Sequence, residues 1–245
     1  MKGIILAGGS GSRMRPLTRI TNKHLLPIYD RPMVTYAIEA FVNSGITEIM
    51  LVTGGTHAGE FLRLLGNGED WGVDRLMYSY QDRPGGIAEA LGLAEKFVES
   101  DKLAVILADN IFGQSIAPMV SNFSGQSIGA RIALARVDES DHLSNLGVAK
   151  FDVDKIIEII EKPIDPPSNY AVTGLYFYDS DVFEIVGRLT PSERGELEIT
   201  DVNNFYVSKG LMSYDILDGY WGDAGESIDS YYEVNDYVRE NGANK

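Results

Sequence analysis

Three cations, Arg13, Arg15 and Lys23, follow closely on Gly8, Gly9 and Gly11 in the stretch Leu6-Ala7-Gly8-Gly9-Ser10-Gly11-Ser12-Arg13, which runs on through Arg15-Pro16-Leu17-Thr18 to Asn22-Lys23-His24-Leu25-Leu26-Pro27. Glycines let a backbone turn tightly and aim several N–H groups at one anion, so with positive charge beside them they read as a phosphate cradle. A Walker loop needs a lysine directly after its last glycine, and none follows Gly8, Gly9 or Gly11. The dinucleotide pattern begins well with Gly9-Ser10-Gly11 but meets Met14 where its third glycine belongs. The chemistry open to this stretch is the binding of a phosphorylated ligand by a loop of another kind.

Other residues stand where a ligand could use them. Asp109 directly follows the apolar run Leu103 to Ala108, so it is expected at the carboxyl end of a strand, where open parallel sheets collect ligands. An aspartate there can equally cap a turn or a helix, and residue type alone leaves both roles open. Gln81 ends another run just before Asp82-Arg83-Pro84-Gly85-Gly86, and its amide offers a donor and an acceptor to the edge of a pyrimidine. In Glu161-Lys162-Pro163 opposite charges stand side by side; on a strand they point to opposite faces unless the proline distorts it.

The elements that must position these residues follow from hydrophobic patterning. Strand-like runs at Ile4 to Leu6, Glu48 to Thr53, Arg75 to Gln81 and Leu103 to Ala108 alternate with helix-like stretches at Val34 to Ser44, Gly59 to Leu65 and Ile87 to Val98. That alternation predicts an α/β fold, a Rossmann-like, mostly parallel mixed sheet flanked by helices. After Arg131 the texture turns β-rich, with runs at Ile132 to Val137, Val148 to Val153, Ile156 to Ile160 and Gly174 to Tyr178. These are expected to complete the sheet and to form a wall over the ligand. Asp179 to Leu189, Glu198 to Lys209 and Ser227 to Glu240 read as helices, the first capped by Asp179 or Ser180.

The loop and its basic sequel resemble the opening of the sugar-1-phosphate nucleotidyltransferases. Further blocks in that family's order cover nearly the whole chain: Gln81 with Gly86-Ile87-Ala88, Ile106 to Phe112, Glu161-Lys162-Pro163, Asn169 to Tyr176, Arg194 to Asp201 and Trp221-Gly222-Asp223-Ala224-Gly225. The likeness is nearest to the short form of those members that transfer thymidylate to glucose 1-phosphate. It implies transfer of a deoxythymidylyl group from dTTP to glucose 1-phosphate, giving dTDP-glucose and pyrophosphate, with Mg²⁺ as cofactor. By the same resemblance Asp109 and Asp223 hold the metal, and Leu6, Gly8, Gly9, Gly11, Arg13, Gln81, Gly86 and Asp109 bind the nucleotide. Asn110, Gly147, Glu161, Lys162, Val172 and Tyr176 bind the sugar phosphate, while Arg13, Lys23 and Lys162 act in catalysis. His24 stands where the thymidylyltransferases have glutamine, Arg15 where an aromatic or histidine is commoner, and Ala108 where glycine is usual. Other readings are the same chemistry with UTP, giving UDP-glucose or another sugar nucleotide, and a non-catalytic nucleotide-sensing module.

Composition bounds the rest. With 245 residues and no composition break, one domain is expected, with a nucleotide-binding half over about 1–130 and a sugar-binding half with a terminal helix over about 131–245. No run approaches the roughly 18 apolar residues of a membrane helix, and the start lacks a secretory signal, so a cytoplasmic protein without membrane contact is expected. The absence of cysteine excludes disulfides, thiolate metal sites and cysteine nucleophiles. A net charge of −15 argues against a nucleic acid polymer as partner. Its distribution is uneven: residues 1–38 hold Lys2, Arg13, Arg15, Arg19, Lys23 and Arg31 against Asp30 alone, a basic pocket in an acidic protein. The expected partners are dTTP and glucose 1-phosphate, in a homo-oligomer. Longer family members use further C-terminal residues to form a regulatory nucleotide site between subunits, which a chain ending at Lys245 is expected to lack.

Overall fold

The computed structural model describes residues 1–9, 11–138 and 140–245, with only the main chain of Ser140 and Asp141; Ser10 of the glycine loop lies outside the described residues. The first half supplies strands β1 (Lys2–Ala7), β2 (Pro27–Ile28), β3 (Arg31–Pro32), β4 (Glu48–Gly54), β5 (Arg75–Gln81), β6 (Leu103–Leu107) and β7 (Asn110–Phe112). The second supplies β8 (Ala130–Arg136), β9 (Gly147–Asp152), β10 (Lys155–Glu161), β11 (Tyr170–Tyr178), β12 (Met212–Ile216) and β13 (Trp221–Asp223).

Among the described residues, nine of these strands make one sheet, with the order β10-β9-β11-β6-β1-β4-β5 and with β8 joining β11 to β12. Strand β1 runs parallel to both β4 and β6, and its six residues are all buried. A near-continuous apolar run is what a strand covered on both faces requires. Ile4 and Leu6 point into one core with Val52, Val105 and Tyr176, and Ile5 and Ala7 into the other with Phe41, Leu51 and Ile106. The antiparallel strand β11 then lies against β6 with Leu175 opposite Ile106, so the two halves of the chain share one sheet.

The helices are α1 (Val34–Asn43), α2 (Ala58–Leu65), α3 (Ile87–Gly92), α4 (Glu95–Val98), α5 (Ala117–Gly125), α6 (Ser140–Leu143), α7 (Val182–Val186), α8 (Ile199–Ser208) and α9 (Ile228–Asn241). The patterning predicts neither α5 nor α6, and two of the expected helices differ in extent. The helix expected over Ile87 to Val98 is broken between α3 and α4; glycine is a poor helix former, and a Cβ at Gly92 would lie 3.2 Å from Val186. The helix expected from Asp179 starts only at Val182, because the Asp179 carboxylate accepts hydrogen bonds from the Gly129 N–H and the Tyr206 hydroxyl instead of capping.

Five of the described strands, β2, β3, β7, β12 and β13, escape the hydrophobic pattern altogether. β13 pairs antiparallel with β7, and this small ribbon sets Asp223 of the second half opposite Asn110 of the first, the residue directly after Asp109.

Candidate active site

A cavity of about 550 Å³ opens at the carboxyl ends of the parallel strands, between them and the antiparallel wall. Its floor comes from Leu6, Gly8 and Gly9 at the turn after β1 and from Lys23 and His24 on the next turn, with the exposed Arg13 at the rim. Gln81 and Gly86 line one side, and Asp109, Asn110 and Asp223 the bottom. Gly147, Glu161, Lys162, Val172 and Tyr176 line the wall. Gly11 is the exception among the positions named from sequence. It does not line the cavity; at φ 58° it turns the loop, and its carbonyl accepts from the Thr18 hydroxyl and the Met14 N–H.

The floor is held by charge. The Lys23 ammonium donates to Asp109 Oδ2, and both side chains are almost wholly buried. Burial alone favours a neutral lysine, but the charges of Asp109 and Asp223 outweigh it and hold Lys23 protonated. Burial likewise pushes the Asp109 carboxyl up, and the Lys23 charge with hydrogen bonds from Lys23 and from Asn110 Nδ2 at 3.2 Å pulls it well below the usual range. Asp223 is left with the opposite balance: burial first, and then the Asp109 charge, push its carboxyl up to about 7. Its Oδ1 accepts from the Gly225 N–H at 2.8 Å, and Glu226 adds a further negative charge nearby.

Two carboxylates side by side, Asp109 buried and Asp223 partly buried, fit a divalent cation better than they fit each other. Among the described residues no group of three or more acidic or histidine side chains converges as a full metal cage. Two carboxylates with an open cavity in front suit Mg²⁺, which keeps several waters and takes further oxygens from substrate phosphates.

The positions that depart from the resemblance are placed differently. His24 is fully buried, with Asn22 Oδ1 accepting from both its Nδ1 and its main-chain N–H at 2.9 Å. Burial and the Lys23 charge push the imidazole down to about 3, so the ring is neutral. The Ala108 methyl is buried in the core behind the sheet, and Arg15 is exposed.

The wall is made by a distortion and a bulge. Lys162 adopts φ 47°, and its ammonium comes within 3.4 Å of Glu161 Oε1. Adjacent residues that a regular strand would send to opposite faces therefore both line the cavity; the proline at 163 disfavours the right-handed helical alternative at this corner. In β11 the register against β8 slips between Val172 and Tyr176, and the bulge brings the Gly174 N–H to Asn110 Oδ1 at 2.7 Å. Trp221 Nε1 donates to the same oxygen at 2.7 Å, so Asn110 ties β7, β11 and β13 together. The Tyr176 phenol is held protonated by burial and by the charges of Glu161, Asp109 and Asp223.

Sequence reasoning left the block Arg194 to Asp201 without a chemical role. In the fold it lines the cavity with Arg194, Glu196, Glu198 and Thr200 and braces both sides of it. Leu197 donates its N–H to Gly85 O at 2.8 Å and accepts from the Ala88 N–H at 3.1 Å, holding the loop beside Gln81. Thr200 Oγ1 donates to Glu161 Oε2 at 2.8 Å, and Arg194 forks onto Glu198 at 2.8 and 2.9 Å. The block's many charged and hydroxyl residues were the signal available.

A phosphate-cradling glycine loop, a buried cation–carboxylate floor and a polar wall on one α/β sheet define a protein that handles phosphorylated nucleotides. Residues 2–241 match the nucleotidyl transferase family, and the chain belongs to it. It is 44% identical to a glucose-1-phosphate thymidylyltransferase of an Actinoplanes species, over 98% of this chain and 78% of the relative. It is 41% identical to the enzyme of that name from Neisseria meningitidis, over 98% of this chain and 83% of the relative. A crystal structure from Bacillus anthracis, named for the same transferase and holding a sucrose, superposes with a TM-score of 0.92 at 49% identity, covering 98% of this chain and 96% of the other. A UDP-glucose pyrophosphorylase complexed with UDP-glucose is more distant, at TM-score 0.82 and 27% identity, with 98% of both chains covered. No described helix is long and apolar enough to cross a membrane.

Proposed function

We propose that the protein transfers a deoxythymidylyl group from dTTP to glucose 1-phosphate, releasing pyrophosphate and dTDP-glucose. The observation that carries the reading is that one cavity gathers a glycine loop, the Lys23–Asp109–Asp223 floor and the Glu161–Lys162 wall, which supports a site for two phosphorylated reactants. The relatives named for this reaction support the choice of substrates.

In this reading Gln81 and the main chain of Gly86 receive the base, and Leu6, Gly8 and Gly9 frame the ribose and phosphates. Arg13 holds the phosphates that leave and Lys162 the sugar phosphate that attacks, while Lys23 meets phosphate at the reacting end. Glu161, Asn110, Gly147, Val172 and Tyr176 shape the sugar pocket. An oxygen of glucose 1-phosphate attacks the α-phosphorus, the bond to the β-phosphate oxygen breaks, and its electrons leave with pyrophosphate. Such a displacement asks the protein mainly for positioning and for neutralisation of charge. Asp109 and Asp223 would hold Mg²⁺, which when bound supplies positive charge to the phosphate oxygens.

Incubation with glucose 1-phosphate, Mg²⁺ and each nucleoside triphosphate in turn, followed by pyrophosphate assay, tests the reading. Turnover is expected to be fastest with dTTP. The likeness to UDP-glucose pyrophosphorylase makes UTP the second candidate, since the two bases differ by one methyl group, worth roughly 1–3 kcal/mol of discrimination. No pyrophosphate from any of them would leave a nucleotide-sensing module in its place.

A further inference from the structure

Gln81 is not free to turn its amide. Its Nε2 donates to Gly86 O at 3.2 Å and to Glu89 Oε1 at 3.1 Å, and both partners are acceptors only. The two N–H bonds of the amide are thereby spoken for, and the orientation follows from chemistry: reversed, the Gln81 carbonyl would face a main-chain carbonyl and a carboxylate. Glu89 is itself fixed from outside. Arg83 takes its other oxygen with Nη2 at 3.0 Å and Nε at 3.3 Å, and the bare Cα of Gly85 leaves the carboxylate its room, since a Cβ there would lie 2.1 Å from Oε1. Among the described residues Gln81 Oε1 makes no hydrogen bond, and it lies toward Gly8, 3.2 Å from where a Cβ on that residue would be.

We infer that Glu89 is a base-selecting positioning residue: by holding the Gln81 amide with its oxygen toward the cavity, it makes the site accept a pyrimidine that offers a ring N–H and refuse one that offers a ring lone pair. The inference rests on the nucleotide pocket of the proposed function. Thymine and uracil carry hydrogen on N3 between two carbonyls and satisfy Gln81 Oε1. Cytosine presents an unprotonated N3, so two acceptors would face each other. A site built to pair a buried polar group rejects the analogue that leaves it unpaired far more strongly than it rejects a change in size. Gln81 alone does not carry this choice, because a glutamine amide can present either end; the selection is set one residue further out. The sequence patterning places Glu89 only within a helix-like stretch, and the fold brings it to Gln81.

The test is the ratio of kcat/KM for dTTP over dCTP, with dUTP as internal control, in the wild type, Glu89→Gln and Glu89→Asp. Glutamine at 89 can donate or accept and so supports either orientation; aspartate keeps the charge and withdraws the oxygen by one methylene. In both variants the dTTP/dCTP ratio is expected to fall about tenfold, through KM more than kcat, while dTTP/dUTP stays unchanged, because those two bases share the N3–H. Calorimetric titration of dTTP and dCTP without glucose 1-phosphate is expected to show the same loss of preference. If dTTP and dCTP fall together in both variants of an enzyme that prefers dTTP, Glu89 merely shapes the loop; the inference is then overturned and the proposed function stands. A wild type that takes dCTP as readily as dTTP overturns the assigned orientation of Gln81. A wild type that releases pyrophosphate from no pyrimidine nucleotide overturns the proposed function, and the inference with it.

Discussion

At the floor of the cavity a cation and a carboxylate already face one another, whereas along the wall the cations stand at the rim. Lys23 and Asp109 are 13% and 10% exposed, and Lys162 and Glu161 are 42% and 34% exposed. Arg13 is exposed and makes no ion pair among the described residues. A buried pair loses much hydration on folding, and only close pairing recovers it. An exposed pair adds little to stability and breaks readily. The floor is therefore preorganised for whatever charge develops there, and the rim cations are left to the phosphates that come and go.

Removing the floor carboxylates tests that contrast most severely. Asp109→Asn and Asp223→Asn are each expected to lower turnover about a hundredfold or more, because each removes a hard ligand at the reacting end. Their effects on stability should differ. Asp109→Asn strips the buried Lys23 of its partner and should cost about 3 kcal/mol, whereas Asp223→Asn relieves two like charges and should be neutral or stabilising. Urea unfolding of the metal-free proteins reads the difference, and near-normal rates in both variants would sink the assignment. Excess EDTA should stop pyrophosphate release from the wild type, and added Mg²⁺ should restore it.

The rim cations should separate by substrate and not by stability. Lys162→Ala is expected to raise KM for glucose 1-phosphate far more than for dTTP, and Arg13→Ala to do the reverse. A charge-assisted contact is worth roughly 1.5–3 kcal/mol, so each shift should be about ten- to a hundredfold. Equal effects on both substrates, or a swapped pattern, would mean that the pocket is oriented the other way. Both variants should unfold at the wild-type urea concentration, since neither cation is buried.

The same contrast explains what the sequence revealed. The expected strand Arg75 to Gln81 is β5 to the residue, although it is a partly exposed edge strand, and β1 and β6 lie within a residue or two of their apolar runs, because a strand buried on both faces announces itself by composition. The ribbon of β7 and β13 was hidden. Its strands are three residues long, lie far apart in the chain and carry the polar Asn110 and Asp223 that the site needs. Nearly every cavity residue was legible through the glycine loop and the family's blocks. The joint cavity placement of Glu161 and Lys162 was legible only through the family's block, because it depends on a left-handed backbone at Lys162 that residue type does not announce. Glu89 was illegible for a related reason: it acts through another side chain, Gln81, and leaves no mark on local pattern.

Two glycines give the gentlest comparison, since each variant adds a single methyl group to one end of the cavity. A Cβ at Gly225 would lie 2.4 Å from Asp109 Oδ2 and 2.6 Å from Lys23 Nζ, so the buried pair must move to admit it. Overpacking of that kind costs roughly 1–3 kcal/mol, and Gly225→Ala should lower kcat about tenfold or more, with KM for both substrates less affected. A Cβ at Gly147 would meet nothing closer than Glu161 Oε2 at 3.5 Å, with Ile159 and Val172 at 3.7 Å. These are ordinary contact distances, so the protein can take Gly147→Ala without rearrangement, and the methyl projects among the residues assigned to the sugar. The expected result is an unchanged unfolding curve, an unchanged KM for dTTP, and a KM for glucose 1-phosphate raised only a few fold, about 1 kcal/mol for one methyl group in a pocket. Steady-state kinetics with each substrate varied in turn decides it. A Gly147→Ala enzyme that loses kcat as Gly225→Ala does would mean that the wall is as tightly built as the floor, and that the rim is no separate region at all.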